Sequence, residues 1–147
     1  MLLELLLCFI ATVGFGVIFS VPKRALLLAG LIGVLTWFNY HTLPIFGVNT
    51  VMATAISSFF AALVAHLLAR KMRLPATTFA LPGVIPLLPG GQAYSTMRSF
   101  VEGAYIQGLA TGVETLLQAG AIAGGLVFVI ALFSFGKGIG HRYEPSR

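Results

Sequence analysis

The sequence predicts an all-α integral membrane protein of about five transmembrane helices, the fourth of which is broken by proline and glycine. Of its 147 residues, 58% are hydrophobic and only 9% are charged, whereas soluble domains carry about 25% charged residues. Apolar runs alternate with short links that carry basic residues, and about 20 apolar residues suffice for a helix to cross a bilayer. This length leaves room for a single membrane domain over residues 1–147.

The basic residues are grouped at the ends of apolar runs. Nine Lys and Arg against four acidic residues give a net charge of +5. Their distribution argues for membrane anchoring and against nucleic-acid binding, because positive residues concentrate on the cytoplasmic side of membrane proteins. The clusters are Lys23-Arg24, Arg70-Lys71-Arg73, and Lys137, Arg142 and Arg147 in the tail. We therefore expect the amino terminus outside and the basic tail inside.

Four segments are predicted to be continuous spans, at about residues 2–20, 25–45, 50–69 and 112–135. Two of them carry small residues at a spacing of four, which places these residues near one face of a helix. Small residues let neighbouring helix backbones approach closely. We therefore predict packing faces at Ala53, Ser57, Ala61 and Ala65, and at Gly108, Gly112, Gly120 and Gly124.

The segment Leu74–Tyr94 is long and apolar enough to cross a bilayer, but it cannot form one continuous helix. It contains four prolines and three glycines, and proline inside a helix costs about 3 kcal/mol. Non-helical backbone at membrane depth persists only where it is buried in protein or lines a wet cavity. A helix is expected to restart at Gly91 or Gln92 and to continue to about Glu102.

This segment leaves two topologies open. If it crosses the bilayer as a broken helix, the chain has five spans and eight of the nine Lys and Arg lie on the cytoplasmic side. If it re-enters on the same side, the chain has four spans and the basic tail lies outside, which the distribution of positive residues disfavours.

Two motifs are too particular to be generic hydrophobic sequence: GFGVIFSVPKRAL at Gly14–Leu26 and PGVIPLLPGGQAY at Pro82–Tyr94. In order and spacing, and with a basic turn before Leu74–Thr77, they resemble the threonine/serine exporter family. The similarity is to the small membrane domain that forms the second half of fused exporters, or the small subunit of two-component systems such as succinate exporters. It extends from Gly14 to about Phe135.

The resemblance implies secondary export of threonine and serine, or of succinate-like dicarboxylates, across the bacterial cytoplasmic (inner) membrane. It also implies a larger membrane subunit of the same family as partner, because this chain lacks the first half of the fused pattern. Two other functions stay open: a non-transporting scaffold subunit, and a channel formed by a homo-oligomer.

The candidate substrate site is the interrupted segment, because all these substrates carry a carboxylate. A helix that restarts inside a membrane presents unpaired N–H groups and partial positive charge, and broken helices of transporters bind carboxylates in this way. The alternative is a tight turn against a partner subunit. The predicted path residues are Pro82, Gly83, Pro86, Pro89, Gly90, Gly91, Gln92, Tyr94 and Ser95, with the anion at residues 90–92.

Glu114 is a candidate proton-coupling residue. With Gln107, Thr111 and Gln118 it is predicted to lie on one helix face, and ionisable groups inside membranes tend to face a wet cavity or a partner. The alternative is a hydrated carboxylate at the outer interface. Arg98 and Glu102 are four residues apart and are predicted to pair across one turn.

No enzyme signature is present in the sequence. The glycines near residues 83–91 fit neither a P-loop nor a dinucleotide fingerprint, and no histidines have metal-ligand spacing with Cys8 or the acids. We therefore expect no catalytic activity, no cofactor and no metal.

Overall fold

The computed structural model describes residues 2–135, which form helices without a β-strand. The predicted all-α architecture is confirmed for this part of the chain. The basic tail with Lys137, Arg142 and Arg147 lies outside the described residues. The helices are α1 (Leu2–Ile18), α2 (Lys23–Thr42), α3 (Thr50–Met72), α4 (Thr77–Val84), α5 (Gly90–Val101) and α6 (Tyr105–Phe135).

Helices α1 and α2 form a tight antiparallel pair. Gly30 of α2 lets α1 approach closely, since a Cβ there would lie 2.5 Å from Cε2 of Phe9. At the same interface the buried Thr12 hydroxyl donates to the carbonyl of Cys8 at 2.8 Å. Small residues therefore let these helices pack closely, as is usual in a membrane, and the buried hydroxyl is satisfied within its own helix.

Helix α3 is the centre of the bundle and packs against α2, α4 and α6. Its start is capped by Asn49, whose Oδ1 accepts from the backbone N–H of Val51 at 3.3 Å. It ends at Arg73, which adopts a left-handed conformation with φ 55°. The predicted packing face is confirmed, because its four members are at most 3% exposed: Ala53, Ser57, Ala61 and Ala65.

Helix α6 runs parallel to α3. Three contacts follow the same order along both helices: Ser58 Oγ to the carbonyl of Ala121, the ring of Phe59 to that of Phe128, and His66 stacked on Phe133. Parallel neighbours imply that the chain between them returns to the end at which α3 began. That chain consists of α4, α5 and their connections.

The predicted glycine face of α6 is only half right. Gly108 is buried and Gly112 half-buried against α5, where added Cβ atoms would lie 3.2 Å from Phe100 and Thr96 respectively. Gly120 and Gly124 are exposed and face open space, so their predicted packing role is wrong. Gly125 contacts α3 instead, because α6 exchanges α5 for α3 as its neighbour and residue 125 lies about 100° from residue 124 around the helix.

Helices α5 and α6 form an antiparallel hairpin. Thr96 donates to the hydroxyl of Thr111 at 3.1 Å, and the ring centroids of Phe100 and Tyr105 lie 6.3 Å apart at the turn. The helix α6 begins at Tyr105, earlier than the predicted span at residue 112. The contacts with α5 stabilise this additional portion.

Among residues 2–135, three helical segments are long and apolar enough to cross a membrane by length and composition: Lys23–Phe46, Thr50–Met72 and Tyr105–Ser134. The first of these continues through a 3₁₀ turn at Leu43–Phe46. The segments Leu2–Ile18 and Thr77–Leu87 are apolar but shorter. A multi-helix membrane protein is thus supported, and the five-span topology stays a prediction.

Replacement of Gly125 by valine is expected to destabilise the contact between α3 and α6. A Cβ at this position would meet Ser58 Oγ and the backbone of α3, and overpacking of this kind costs about 1–3 kcal/mol. Thermal unfolding in detergent should therefore show a lower midpoint for Gly125→Val. The control Gly124→Val faces open space and should unfold near the wild-type midpoint; equal midpoints would contradict the assigned interface.

Candidate functional site at a broken helix

The helix interruption lies between α4 and α5. Helix α4 ends at Val84, a 3₁₀ turn covers Ile85–Leu87, and Leu88 is extended with φ −61° and ψ 125°. We call residues 85–89 the break. The predicted interruption is confirmed, and α5 spans Gly90–Val101 where a restart at Gly91 or Gln92 and an end near Glu102 were expected.

Pro82 and Gly83 lie in α4, so the prediction that they belong to the interrupted backbone is wrong. Pro82 is the sixth residue of this eight-residue helix. It removes one hydrogen bond, to the carbonyl of Thr78, and the helix continues to Val84. Both residues are buried. A Cβ on Gly83 would lie 2.6 Å from Cγ2 of Ile32, so this glycine allows α4 to pack against α2.

The break is anchored in the bundle from two sides. Leu87 is 4% exposed and belongs to the buried core cluster with Ala61 of α3 and Ile122 of α6. Pro86 lines a shallow groove with Cys8 of α1 and Trp37 of α2. The non-helical backbone therefore packs against α1 and α2, next to the core of the bundle, as its polar groups require at membrane depth.

The first turn of α5 presents free backbone donors. Gly90 N–H donates to Leu88 O at 2.8 Å and Ala93 N–H to Pro89 O at 2.9 Å, whereas the N–H groups of Gly91 and Gln92 have no hydrogen-bond acceptor within residues 2–135. Pro89 supplies no side-chain cap. An added Cβ at Gly90 or Gly91 would have no neighbour within 4 Å. The helix start is thus electropositive and open to a ligand.

The polar side chains of the predicted site differ in their surroundings. Gln92 is half-buried, and its Oε1 is buried without a hydrogen-bond partner in the described part of the chain. Ser95 donates to the carbonyl of Gly91 at 3.0 Å, and Tyr94 is 68% exposed. Gln92 is therefore the member of this set with unused hydrogen-bonding capacity inside the protein.

The four side chains of the predicted polar face of α6 differ in burial and in their contacts. Thr111 bonds to Thr96 of α5 and Gln118 is 2% exposed, whereas Gln107 and Glu114 are exposed. Glu114 lies about 10 Å along α6 before Ala121, given a rise of about 1.5 Å per residue. Because Ala121 is level with Ser58, Glu114 is close to the level at which α3 begins.

The predicted Arg98–Glu102 pair is confirmed, with Nε and Oε1 2.7 Å apart and both side chains exposed. Exposed pairs of this kind contribute little to stability. Within residues 2–135 no three His, Cys, Asp or Glu side chains come together as metal ligands.

Two buried polar side chains lie outside the predicted path. Ser57 is fully buried in α3 and Gln118 is 2% exposed in α6, and each has a side-chain atom without a partner among the described residues. In the sequence, Ser57 stands out only as one member of a small-residue face, and Gln118 only as a neighbour of Glu114. Their burial depends on pairing between distant segments, which no local spacing indicates.

A comparison with known protein families matches nearly all of the chain that the structure describes. Residues 4–132 match the family described as "Threonine/Serine exporter, ThrE". The chain belongs to the threonine/serine exporter family. Membership confirms the resemblance carried by the two sequence motifs and indicates a transporter of the exporter type. No solved structure matches the chain.

Alanine substitutions at Gly83 and at Gly90 or Gly91 are expected to change the stability of the protein in opposite directions. Gly83→Ala should lower the thermal midpoint, because its Cβ would overlap Ile32. Gly90→Ala and Gly91→Ala meet no neighbour, and alanine in a helix is about 0.5–1 kcal/mol more favourable than glycine. Thermal unfolding of the three variants tests this; a loss of stability at residue 90 or 91 would show that the open surroundings are wrongly assigned.

Proposed function

We propose that this chain is the small subunit of a secondary exporter and works together with a larger membrane subunit of the same family. The observation that carries the proposal is the break, where a helix starts with free N–H groups in an otherwise apolar bundle. Such a start suits the carboxylate of a small metabolite. The role is transport without catalysis, driven by an ion gradient or by the partner.

The need for a partner is supported by the α5–α6 hairpin. Within the described chain α5 has no buried residue, and its contacts are largely with α6. Helix α5 exposes Ser95, Arg98 and the adjacent Glu102, polar groups that lipid does not solvate. A second membrane subunit would cover this surface and close the space in front of the break.

We further propose five crossings, with α4, the break and α5 together forming the fourth. The parallel direction of α3 and α6 supports this topology, because one crossing between them would bring the chain back to the end at which α3 began. The basic residues 23–24 and 70–73 then share one side, and the amino terminus lies on the other. By the distribution of positive residues this is the cytoplasmic side of a bacterial inner membrane.

The proposed substrate is a small metabolite with a carboxylate: threonine, serine or a succinate-like dicarboxylate. Its carboxylate would bind at Gly90, Gly91 and Gln92, with Tyr94 and Ser95 beside the path. Pro82 and Gly83 take an indirect part, because they are buried in α4 and set the position of the break.

Valine at residue 90 or 91 is expected to abolish or strongly reduce export of threonine or succinate. The wider side chain fits the protein but obstructs approach of an anion to the backbone N–H groups. Flux is measured in proteoliposomes that contain this chain and the larger subunit. The matched control is Gly120→Val, which also faces open space but lies on α6, and it should retain flux.

Flux from the pair that survives Gly90→Val and Gly91→Val would instead support a scaffold role for this chain. Flux from this chain alone would support a homo-oligomeric channel. The proposal expects flux from the pair only.

Glu114→Gln tests the proposed proton coupling. If Glu114 couples export to proton entry, the variant should transport at a rate that no longer depends on the pH gradient. The measurement is flux from the pair at several imposed gradients, with Glu102→Gln as the exposed-carboxylate control. Unchanged pH dependence in Glu114→Gln would assign this carboxylate to the hydrated interface.

A further inference from the structure

The end of the bundle at which α2 begins and α3 ends is strongly basic. Five cations are exposed there: Lys23, Arg24, Arg70, Lys71 and Arg73. The three acidic residues of the described chain lie toward the opposite end, at the start of α1 and in the α5–α6 hairpin. A surface that carries charge of one sign attracts ligands of the opposite sign, so this end favours an anionic partner.

Only one of these cations has a partner for its side chain among residues 2–135. The Arg70 guanidinium lies over the ring of Phe133, with Cζ 4.6 Å from the ring centroid. The side chains of the other four make no hydrogen bond or ion pair in this part of the chain. Lys23 and Arg24 are moreover in the first turn of α2, where the helix dipole disfavours positive charge. Their charge is therefore not balanced within the described protein.

Two apolar stripes lead from the basic end into the bundle. Each has one cation and three apolar residues at spacings of four, three and four, which places its members along one helix face. The stripe of α2 is Arg24, Leu28, Leu31 and Leu35, and the stripe of α3 is Lys71, Leu67, Val64 and Phe60. Both stripes begin at the same end, since Ala25 and Ala69 belong to one core cluster. All six apolar members are exposed or half-buried.

The two stripes meet at a cavity between α2 and α3. Leu35, Phe60 and Val64 line it, so both stripes face the groove between these helices. Its volume of about 190 Å³ is below the range of about 300–1,000 Å³ that is typical of small-molecule sites. The Thr36 hydroxyl at its wall is satisfied within α2, and Asn39 lies one turn beyond Leu35, away from the cations. The cavity is therefore mainly apolar near the stripes.

The distance between the cations and the cavity matches one leaflet of a membrane. Leu35 is eleven positions after Arg24, and Phe60 is eleven positions before Lys71. At a rise of about 1.5 Å per residue this is about 16 Å along each helix. The hydrocarbon core of a bilayer is about 30 Å thick, so one leaflet occupies about 15 Å of it. A lipid whose phosphate lies at the cations therefore places the ends of its acyl chains level with the cavity.

We propose that the groove between α2 and α3 binds one anionic phospholipid. Arg24 and Lys71 bind its phosphate, and Lys23 and Arg73 add positive charge beside it. One acyl chain follows the two stripes and ends in the cavity. Basic sites between transmembrane helices bind the headgroups of acidic lipids in this way. The site does not depend on the substrate or the partner subunit proposed above.

The test compares lipids by the unfolding midpoint of the purified full chain in detergent, since a ligand that binds the folded state raises this midpoint. Dioleoylphosphatidylglycerol should raise it saturably, and at lower concentration than dioleoylphosphatidylcholine, which has the same acyl chains and no net charge. Glycerophosphoglycerol and inorganic phosphate lack acyl chains and should leave the midpoint unchanged at the same concentrations. These two probes separate a lipid site from a site for free phosphate.

Arg24→Gln and Lys71→Gln should each raise the concentration of phosphatidylglycerol that gives the half-maximal shift about fivefold, as expected for the loss of one cation at a membrane surface. The matched control is Arg70→Gln, which removes the same charge at the same end, but from a guanidinium that already lies over Phe133. The control should stay within about twofold of wild type.

Val64→Phe tests the cavity without a change of charge. The larger side chain occupies the space at the end of the stripes and should weaken the response to both lipids. Its matched control is Val127→Phe, at an exposed position of α6, which should respond as wild type does. Each shift is taken from the lipid-free midpoint of the same variant, so a change in basal stability does not decide the outcome.

Equal half-maximal concentrations for phosphatidylglycerol and phosphatidylcholine would overturn the preference for an anionic headgroup. An equal loss in Arg70→Gln and Arg24→Gln would show general attraction to a basic surface and overturn the assignment to this groove. The same shift with inorganic phosphate, or an unaltered lipid response in Val64→Phe, would overturn the role of the acyl chain.

Discussion

The constraint on which this structure depends is that backbone N–H and C=O groups inside a bilayer need partners within the protein. Most of the chain meets it with continuous helices. The break does not; its Pro86 packs beside α1 and α2, and its Leu87 belongs to the buried core cluster. The small-residue face of α3 and the close pairing of α1 with α2 bring these helices near enough to enclose it.

Enclosure on one side leaves the other side of the break open. The α5–α6 hairpin contributes free N–H groups at Gly91 and Gln92 and an uncovered apolar surface. We propose that the exporter uses this combination to bind its substrate. The same interruption that removes helix hydrogen bonds leaves the uncharged N–H donors to which we propose that a carboxylate binds.

Much of the fold follows from local sequence. Hydropathy predicts the helices, and Pro86 and Pro89 predict where one of them stops. Pro82 does not interrupt its helix, which continues for two further residues to Val84. Three other features depend on the pairing of α6 with α3 and α5. These are the contact of Gly125 with α3, the start of α6 at Tyr105, and the burial of Ser57 and Gln118. Residue spacing along one segment cannot reveal which distant segment it meets.

The sidedness of Val101 tests most directly whether α4, the break and α5 form one crossing. Single cysteines at Phe46, Val101 and Lys71 would be introduced into Cys8→Ala protein and labelled with a membrane-impermeant thiol reagent; Phe46 is 82% and Val101 88% exposed, and Lys71 is also exposed. A broken crossing predicts that Phe46→Cys and Val101→Cys react from the same side and Lys71→Cys from the opposite side. Reaction of Val101→Cys together with Lys71→Cys would show a re-entrant element and contradict the account.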